Sequence, residues 1–166
     1  MMRFWQVLWE FQGITDILYV RLIDLLDDSR EIIRNAGLLL LLALTKSNAE
    51  IQKIVAFENA FEKLLGIVIE EGASDGDIIV QDCMEVIHNL LRFNVSNQVT
   101  CLFNAKNLFR ETSCIQKIPK LLGNLSMDEK WPMQKIRNTL AVLELIRILV
   151  APKNSNARVN QVSYFY

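Results

Sequence analysis

The stretch "IRNAGLLLLLALTKSN", Ile33–Asn48, decides the fold, because a run of leucines of this kind must be buried in lipid or in protein. Its uncharged window extends only over Asn35–Thr45, between Arg34 and Lys46. A helix of that length spans about 16 Å, roughly half of the hydrocarbon core of a bilayer, so no membrane helix is expected. A helix that is apolar nearly all round must then be covered by protein on several sides, as in the inner layer of a helical stack.

The same stretch predicts where this helix begins and how deeply it is buried. Ser29 is a suitable N-cap, so the helix is expected to begin near Ser29 or Arg30. Leu38–Leu44 is expected to be almost completely buried within it. Elsewhere apolar residues recur every three or four positions, and alternating runs bounded by turns are absent, which predicts an all-α chain.

Segments similar to the start of the leucine helix recur along the chain. "IRNAGLLLLLAL" begins at Ile33, "VQDCMEVIHNLL" at Val80 and "IRNTLAVLELIRIL" at Ile136, 47 and then 56 residues apart. Each opens with a β-branched residue and two polar residues, and then continues as a largely apolar helix. A helical repeat of about 47 residues is typical of the armadillo and HEAT classes. We therefore predict a single domain over residues 1–166, an armadillo/HEAT-like solenoid of about three repeats.

Two places depart from this repeat. The second spacing is too long, and Val99–Lys106 is the suspected insertion. The chain also ends in "NQVSYFY", which follows a polar linker and continues no repeat. Both stretches follow a glutamine, and we interpret them as an imperfect gene model or a splice variant. Val99–Lys106 is then expected to lengthen a loop or break a helix rather than add a layer to the core.

Composition excludes several broad classes of protein. The chain has 166 residues, a net charge of −1 and 51% hydrophobic residues, so nothing indicates nucleic-acid binding. No signal-peptide pattern begins it. Three cysteines, Cys83, Cys101 and Cys114, show no CxxC spacing, which indicates a reducing compartment such as the cytoplasm rather than a disulfide framework.

Residues suited to chemistry are few. His88 is the one histidine and lies within a helical pattern, so we interpret it as a packed helix residue rather than a catalytic base. The "SDGDIIVQD" segment lacks the ligand spacing of an EF-hand loop, and three cysteines with one histidine lack zinc spacing. Glycine motifs for phosphate are missing as well. The sequence predicts no catalytic residue, no metal site and no cofactor, and hence no enzyme.

Charge is unevenly distributed along the middle of the chain. Glu58–Glu85 holds eight acids and only one base, Lys63, whereas Lys106–Arg137 holds seven bases and three acids. Two interpretations stay open: ordinary solvated surface, or two oppositely charged patches that select and orient a protein partner. Reversing charges in the loop of the acidic stretch is expected to weaken partner binding and barely change folding. The candidate partner residues are four acids: Glu70, Glu71, Asp75 and Asp77.

Longer segments resemble a known family. "LIDLLDDSREIIRNAGLLLLLALTKSNAEIQKIVAFENAFEKLL", which begins at Leu22, "EEGASDGDIIVQDC" and "NLLRFNVSNQ" are similar to the globular head of the general vesicular transport factors. Those proteins are long coiled-coil golgins that tether vesicles at the Golgi. The matches are extended, cover about Leu18–Gln98 and resume at "LFRETSCIQ" and "QKIRNTLAVLELIRILV". They are weakest at Met1–Gln12, Val99–Lys106 and Val162–Tyr166.

The resemblance implies an armadillo-like head that is followed, in that family, by a long coiled coil and an acidic tail. It implies a non-enzymatic tether in endoplasmic-reticulum-to-Golgi and intra-Golgi transport, located in the cytoplasm and peripherally at the Golgi membrane. The implied partners are a Rab GTPase, SNAREs, other golgins and a multisubunit tethering complex, and the full-length protein is implied to form a homodimer. These 166 residues contain neither coiled-coil heptads nor an acidic tail.

Two alternatives compete with a tethering head. A generic armadillo-type scaffold of another pathway, such as a cargo receptor, would carry spaced Trp and Asn pairs along its inner helices. Here only Asn89 lies in such a place, without a Trp. A helical enzyme would need the histidine, metal or phosphate motifs that the sequence lacks.

Overall fold

The computed structural model of the chain describes residues 17–92, 114–126 and 130–150, and all of its regular elements there are helices. This confirms the predicted all-α class. The suspected insertion Val99–Lys106 and the C-terminal Val162–Tyr166 lie outside the described residues. The helices, numbered in chain order, are α1 (residues 17–24), α2 (Glu31–Thr45), α3 (Ala49–Phe57), α4 (Ala60–Glu70), α5 (Ile78–Arg92), α6 (Ile118–Leu121) and α7 (Met133–Val150).

Helix α5 forms the inner layer of the stack. It packs between α2 and α7, and it also contacts α3 and α4. The predicted repeat starts Ile33, Val80 and Ile136 fall in the first turns of α2, α5 and α7. The number of repeats stays a prediction. Seven side chains of α5 are at most 1% exposed: Val80, Cys83, Met84, Val86, Ile87, Leu90 and Leu91.

Helix α2, which contains the leucine run, lies at an edge of the described stack. Leu38 and Leu41 are fully buried, whereas Leu39 and Leu40 are 54% and 51% exposed. The prediction that Leu38–Leu44 is almost completely buried is therefore wrong. The physical reason is that the neighbours of α2, which are α3, α5 and the turn after α1, pack against one side of it.

The start of α2 matches the expected position, but its cap does not. The N-cap residue is Arg30, not Ser29, and it makes no side-chain capping hydrogen bond. Instead, the backbone N–H of Arg30 donates to Asp28 Oδ1 at 2.9 Å, and its guanidinium binds both oxygens of that carboxylate. The hydrogen bond from the Arg30 side chain is the main reason why the pKa of Asp28 falls to about 2. The ion pair between Asp28 and Arg30, and not a side-chain cap from Ser29, therefore stabilises the turn before α2.

Within the described residues, none of the helices has both the length and the apolarity needed to cross a bilayer. The leucine helix illustrates this, since α2 has 15 residues and a charged residue in its first turn. The sequence-based expectation for Ile33–Asn48 agrees with this finding.

Candidate functional site

The four candidate acids do not share one solvated loop. Glu70 is the last residue of α4 and Glu71 is its C-cap, while Asp75 ends the 3-10 turn Ala73–Asp75 and Asp77 directly precedes α5. Glu70 and Asp77 are exposed, and neither forms an ion pair with another described residue. The other two acids are engaged within the fold.

Glu71 connects the end of α4 to α2. Its carboxylate forms an ion pair with the guanidinium of Arg34, and the two side chains are only 30% and 13% exposed. An ion pair with that much burial holds two helices in register, because removing one partner leaves the other charge partly desolvated. We therefore assign Glu71 to the fold and not to a partner surface.

Asp75 holds together three segments that are distant in the sequence. Its Oδ1 lies 2.6 Å from Lys135 Nζ on α7, and its Oδ2 accepts a hydrogen bond from the backbone N–H of Asn124 at 3.0 Å. Lys135 also donates to the carbonyl of Asn124 and lies 4.9 Å from the centre of the Trp131 ring. With these contacts the Lys135 side chain is 12% exposed.

The 3-10 turn itself is anchored in the same place. Ser74 is fully buried, and its hydroxyl donates to the carbonyl of Leu122. The side-chain amide of Asn138, also fully buried, donates to the carbonyl of Gly76 at 2.7 Å. We call this set, Ser74, Asp75, Asn124, Lys135 and Asn138, the polar joint. It fixes the turn before α5 to α7.

The polar joint changes the expected outcome of charge reversal. Reversing all four acids would break the Glu71–Arg34 and Asp75–Lys135 ion pairs. The premise that the four acids lie together in a loop is wrong, and we now expect that variant to lose stability. Reversal of Glu70 and Asp77 alone leaves every described ion pair intact. Those two residues are the acids that can test a partner surface.

Asp75→Asn is expected to remove part of the pH dependence of stability. The hydrogen bond from Lys135, and next that from the Asn124 backbone, hold the pKa of Asp75 below its usual 3.8. Since the folded-state pKa is the lower one, the carboxylate stabilises the fold above about pH 4, and this contribution is lost as the pH falls through the folded-state pKa. The side chain is 43% exposed, so the effect should not exceed about 1 kcal/mol.

Thermal unfolding at neutral and acidic pH measures this difference. The variant should unfold at a lower temperature than the wild type at neutral pH, and the gap should narrow in acid. The exposed neighbour Asp77→Asn is the matched control and should behave like the wild type at both pH values. A constant gap for Asp75→Asn across the two pH values would show that the ionised pair does not stabilise the fold.

The acidic and basic stretches meet each other within the chain. Lys117, in the 3-10 turn before α6, binds Glu62 on α4 at 3.1 Å, as Lys135 binds Asp75. Part of the charge segregation seen in the sequence therefore holds neighbouring segments together. Lys120, Lys130 and Arg137 remain exposed.

A charged groove of about 620 Å³ runs between the start of α2 and the outer face of α4. Its lining includes Leu26, Gly66 and Ile67, which add a small apolar area. Its walls carry charges of both signs: Asp27, Asp28, Arg34, Glu62, Lys63, Glu70 and Lys117. A groove of this shape and charge suits a protein segment better than a small apolar ligand, since most small-molecule pockets are predominantly apolar.

In the described parts of the chain, the cysteine and histidine side chains are buried or half-buried among the packed helices. Burial raises the pKa of the Cys83 thiol to about 12, so the thiol is protonated at neutral pH and is a poor nucleophile. His88 is half-buried within α5, and Cys114 is buried. Among the described residues, no three His, Cys, Asp or Glu side chains are grouped so as to hold a metal ion. The site's chemistry is that of ion pairs and surface contacts.

Known proteins similar to this chain are named as vesicular transport factors or golgins. No family model matches. The chain is 52% identical over 134 residues to the general vesicular transport factor p115 of Bos taurus, a match covering 81% of this chain and 13% of that protein. It is 48% identical over 130 residues to golgin candidate 6 of Arabidopsis thaliana, covering 78% of this chain and 13% of that protein. The chain thus spans 13% of the length of these two relatives.

Solved structures share the fold. The crystal structure of Uso1-2 superposes with a TM-score of 0.74 at 35% identity, covering 89% of this chain and 21% of that one. The crystal structure of Uso1-1 gives a TM-score of 0.71 at 36% identity, covering 87% of this chain and 22% of that one. Together with the identities above, these matches confirm the resemblance found in the sequence and the helical solenoid.

Proposed function

Because the chain belongs by sequence and fold to the family of general vesicular transport factors, we propose that it is a protein-binding head segment of a vesicle tether. The observation that carries this proposal is the 52% identity to p115 over 134 residues, together with the Uso1 fold. The proposed process is endoplasmic-reticulum-to-Golgi and intra-Golgi transport. The proposed location is the cytoplasmic side of the Golgi membrane, held there by protein contacts.

In this proposal the segment works by surface recognition and not by catalysis. Its partners are a Rab GTPase, SNAREs, other golgins and a multisubunit tethering complex. A stack of helices offers an extended surface on which several partners can bind at separate places. Tethering then needs a second binding end joined by a long linker, so that one molecule engages two membranes at once. In the full-length protein we propose that a homodimeric coiled coil supplies that linker.

Surface plasmon resonance against a panel of purified Rab GTPases and SNAREs tests the proposal. Each Rab is loaded with GDP or with a non-hydrolysable GTP analogue. At least one Rab is expected to bind about tenfold more tightly in its GTP state, because a tether must respond to active Rab at the membrane. Absence of binding to every Rab and SNARE in the panel would contradict the proposal and favour a scaffold of another pathway.

Reversing the two exposed acids should slow association with such a partner. For Glu70→Lys combined with Asp77→Lys, we expect an on-rate several-fold lower and less dependent on salt, since exposed charges steer association over about 8 Å at physiological ionic strength. Circular dichroism and the unfolding midpoint should stay near those of the wild type. Neither residue forms a described ion pair, and a lysine that is favourable at the C-terminus of α4 offsets one that is unfavourable at the N-terminus of α5. An unchanged on-rate and salt dependence for every partner would mean that these acids are ordinary solvated surface.

A further inference from the structure

Two residues on the outer face of α4 act against the stability of that helix. Gly66 lies in its interior, where glycine weakens a helix relative to alanine. Apart from its chain neighbours and the backbone of α4 itself, a Cβ added at Gly66 would meet no atom within 4 Å, so packing does not require a glycine there. Glu70 is the last residue of α4, where the negative end of the helix dipole disfavours a carboxylate, and the last turn contains no base.

These two residues lie next to each other in the charged groove. Glu62, Gly66 and Glu70 are spaced four residues apart, so they share one face of α4, and all three line the groove. The groove is also lined by Leu26, from the turn before α2, and by Arg34 of α2. Departures from local stability rules that the fold does not need are typical of functional sites. Here two independent departures occur one helical turn apart in the same groove.

The charges in the groove indicate what it can receive. Lys63 is paired with Asp24 and Asp27, Lys117 with Glu62, and Arg34 with Glu71. Glu70 is exposed and forms no ion pair with the other described residues. The uncompensated charge of the groove is therefore negative and lies at the Glu70 end. A ligand that complements it supplies a cation at that point.

The open space above Gly66 indicates the shape of the ligand. Without a side chain at Gly66, the backbone of α4 can be approached closely, and the distance between two packed helices depends on the side chains at their contact. A helix in a groove presents its anchors at spacings of three and four residues, which matches the step from Gly66 to Glu70.

We propose that this groove is the docking site for an α-helical segment of a partner protein. The segment places a small residue on Gly66 and, one turn along, a lysine or arginine on Glu70. The proposal deepens the proposed function, on which it rests for the view that the surface binds a protein. It assigns the site within the surface and the chemical character of the segment that fills it.

Two synthetic helical peptides are the probes. Both carry a central alanine; four residues along, one peptide has lysine and the other glutamate. Fluorescence anisotropy with the purified chain should show that the lysine peptide binds at least tenfold more tightly. Gly66→Gln, which fills the groove, should weaken that binding at least tenfold while the thermal unfolding midpoint stays constant or rises. Ala43→Gln is the matched control, because it adds the same side chain at an exposed position of α2 and should leave binding unchanged.

A charge exchange tests the contact with Glu70 directly. Glu70→Lys should reverse the preference, so that the glutamate peptide binds more tightly than the lysine peptide. Glu85→Lys reverses an exposed acid of α5 outside the groove and should keep the preference of the wild type. Equal affinity of the wild type for both peptides, or binding of the lysine peptide unaffected by Gly66→Gln, would overturn the proposal.

Failure of the groove proposal can be distinguished from failure of the proposed function. If Rab or SNARE partners bind the wild type and Gly66→Gln equally well, the groove is not the partner site, while the proposed function stands. If the peptides behave as expected but no Rab or SNARE binds, the groove stands as a docking site and the vesicle-tethering function does not.

Discussion

Leu41→Ala is expected to lower the free energy of unfolding by about 2–5 kcal/mol. Leu41 is fully buried on the side of α2 that packs into the core. Its carbonyl also accepts a hydrogen bond from the buried hydroxyl of Thr45, which Leu41→Ala leaves in place, so the expected loss comes from packing alone. Urea unfolding followed by circular dichroism measures the loss.

The control for this prediction lies one residue away on the same helix. Leu40 is 51% exposed, so Leu40→Ala should change the free energy of unfolding by no more than about 0.5 kcal/mol. The pair separates the two sides of α2 while keeping the chemistry of the substitution constant. Similar losses for both variants would contradict the position of α2 at the edge of the stack.

Gly76→Ala is expected to cost about 3 kcal/mol, at the upper end of the range for overpacking. A Cβ at this position would lie 2.2 Å from the carbonyl oxygen of Glu71 and 2.6 Å from Val80 Cγ2. The first of these atoms belongs to the backbone and cannot move aside by a rotamer change. Relief of the contact would shift the turn, and with it the carbonyl that accepts a hydrogen bond from Asn138 in the polar joint.

Gly66→Ala makes the same chemical change where nothing obstructs it. No atom beyond its chain neighbours and the backbone of α4 lies within 4 Å of the added Cβ, so we expect the free energy of unfolding to rise by about 0.5–1 kcal/mol. Urea unfolding of both variants compares them directly. If Gly76→Ala were as stable as the wild type, the close approach of the turn to the end of α4 would not exist in solution.

The leucine run shows that sequence periodicity can predict the position of a helix but not which side of it is buried. It correctly placed a helix that begins near Arg30, because the apolar residues and the turn before them are local signals. It could not reveal which side of the helix is buried, since a run with leucine at five successive positions is equally apolar on every face. The exposure of Leu39 and Leu40 depends on which elements pack against α2, and that is a property of the whole stack.

The helix that proved to be innermost carries polar residues in its sequence. Gln81, Asp82 and Glu85 form a narrow polar strip on α5, which is partly exposed together with Ile78, while other sides of the helix pack against α2, α4 and α7. Hydrophobicity alone therefore ranked α2 above α5 as the inner helix. In the structure the order is the reverse: α5 is the inner helix and α2 lies at the edge of the described stack.

The polar joint could not be predicted from the sequence, because its members are far apart in the chain. Asn138 and Ser74, which share a hydrogen bond, are separated by 64 residues. Gly123 is a partial sequence signal of this contact. Gly123 has a φ of +56°, and a Cβ there would lie 2.7 Å from Asp75 Oδ2, so the backbone approaches that carboxylate closely. A glycine in each of two distant turns is compatible with their contact, but the sequence alone cannot pair them.

Competition in a cell-free assay of endoplasmic-reticulum-to-Golgi transport tests the proposed function most directly. The purified chain is added in excess of the endogenous tether. We expect transport to fall with increasing concentration, because the chain occupies partner sites while its 166 residues contain no heptads to join two membranes. The heat-unfolded chain should have no effect. Unchanged transport at concentrations that saturate a purified Rab or SNARE partner would contradict the account.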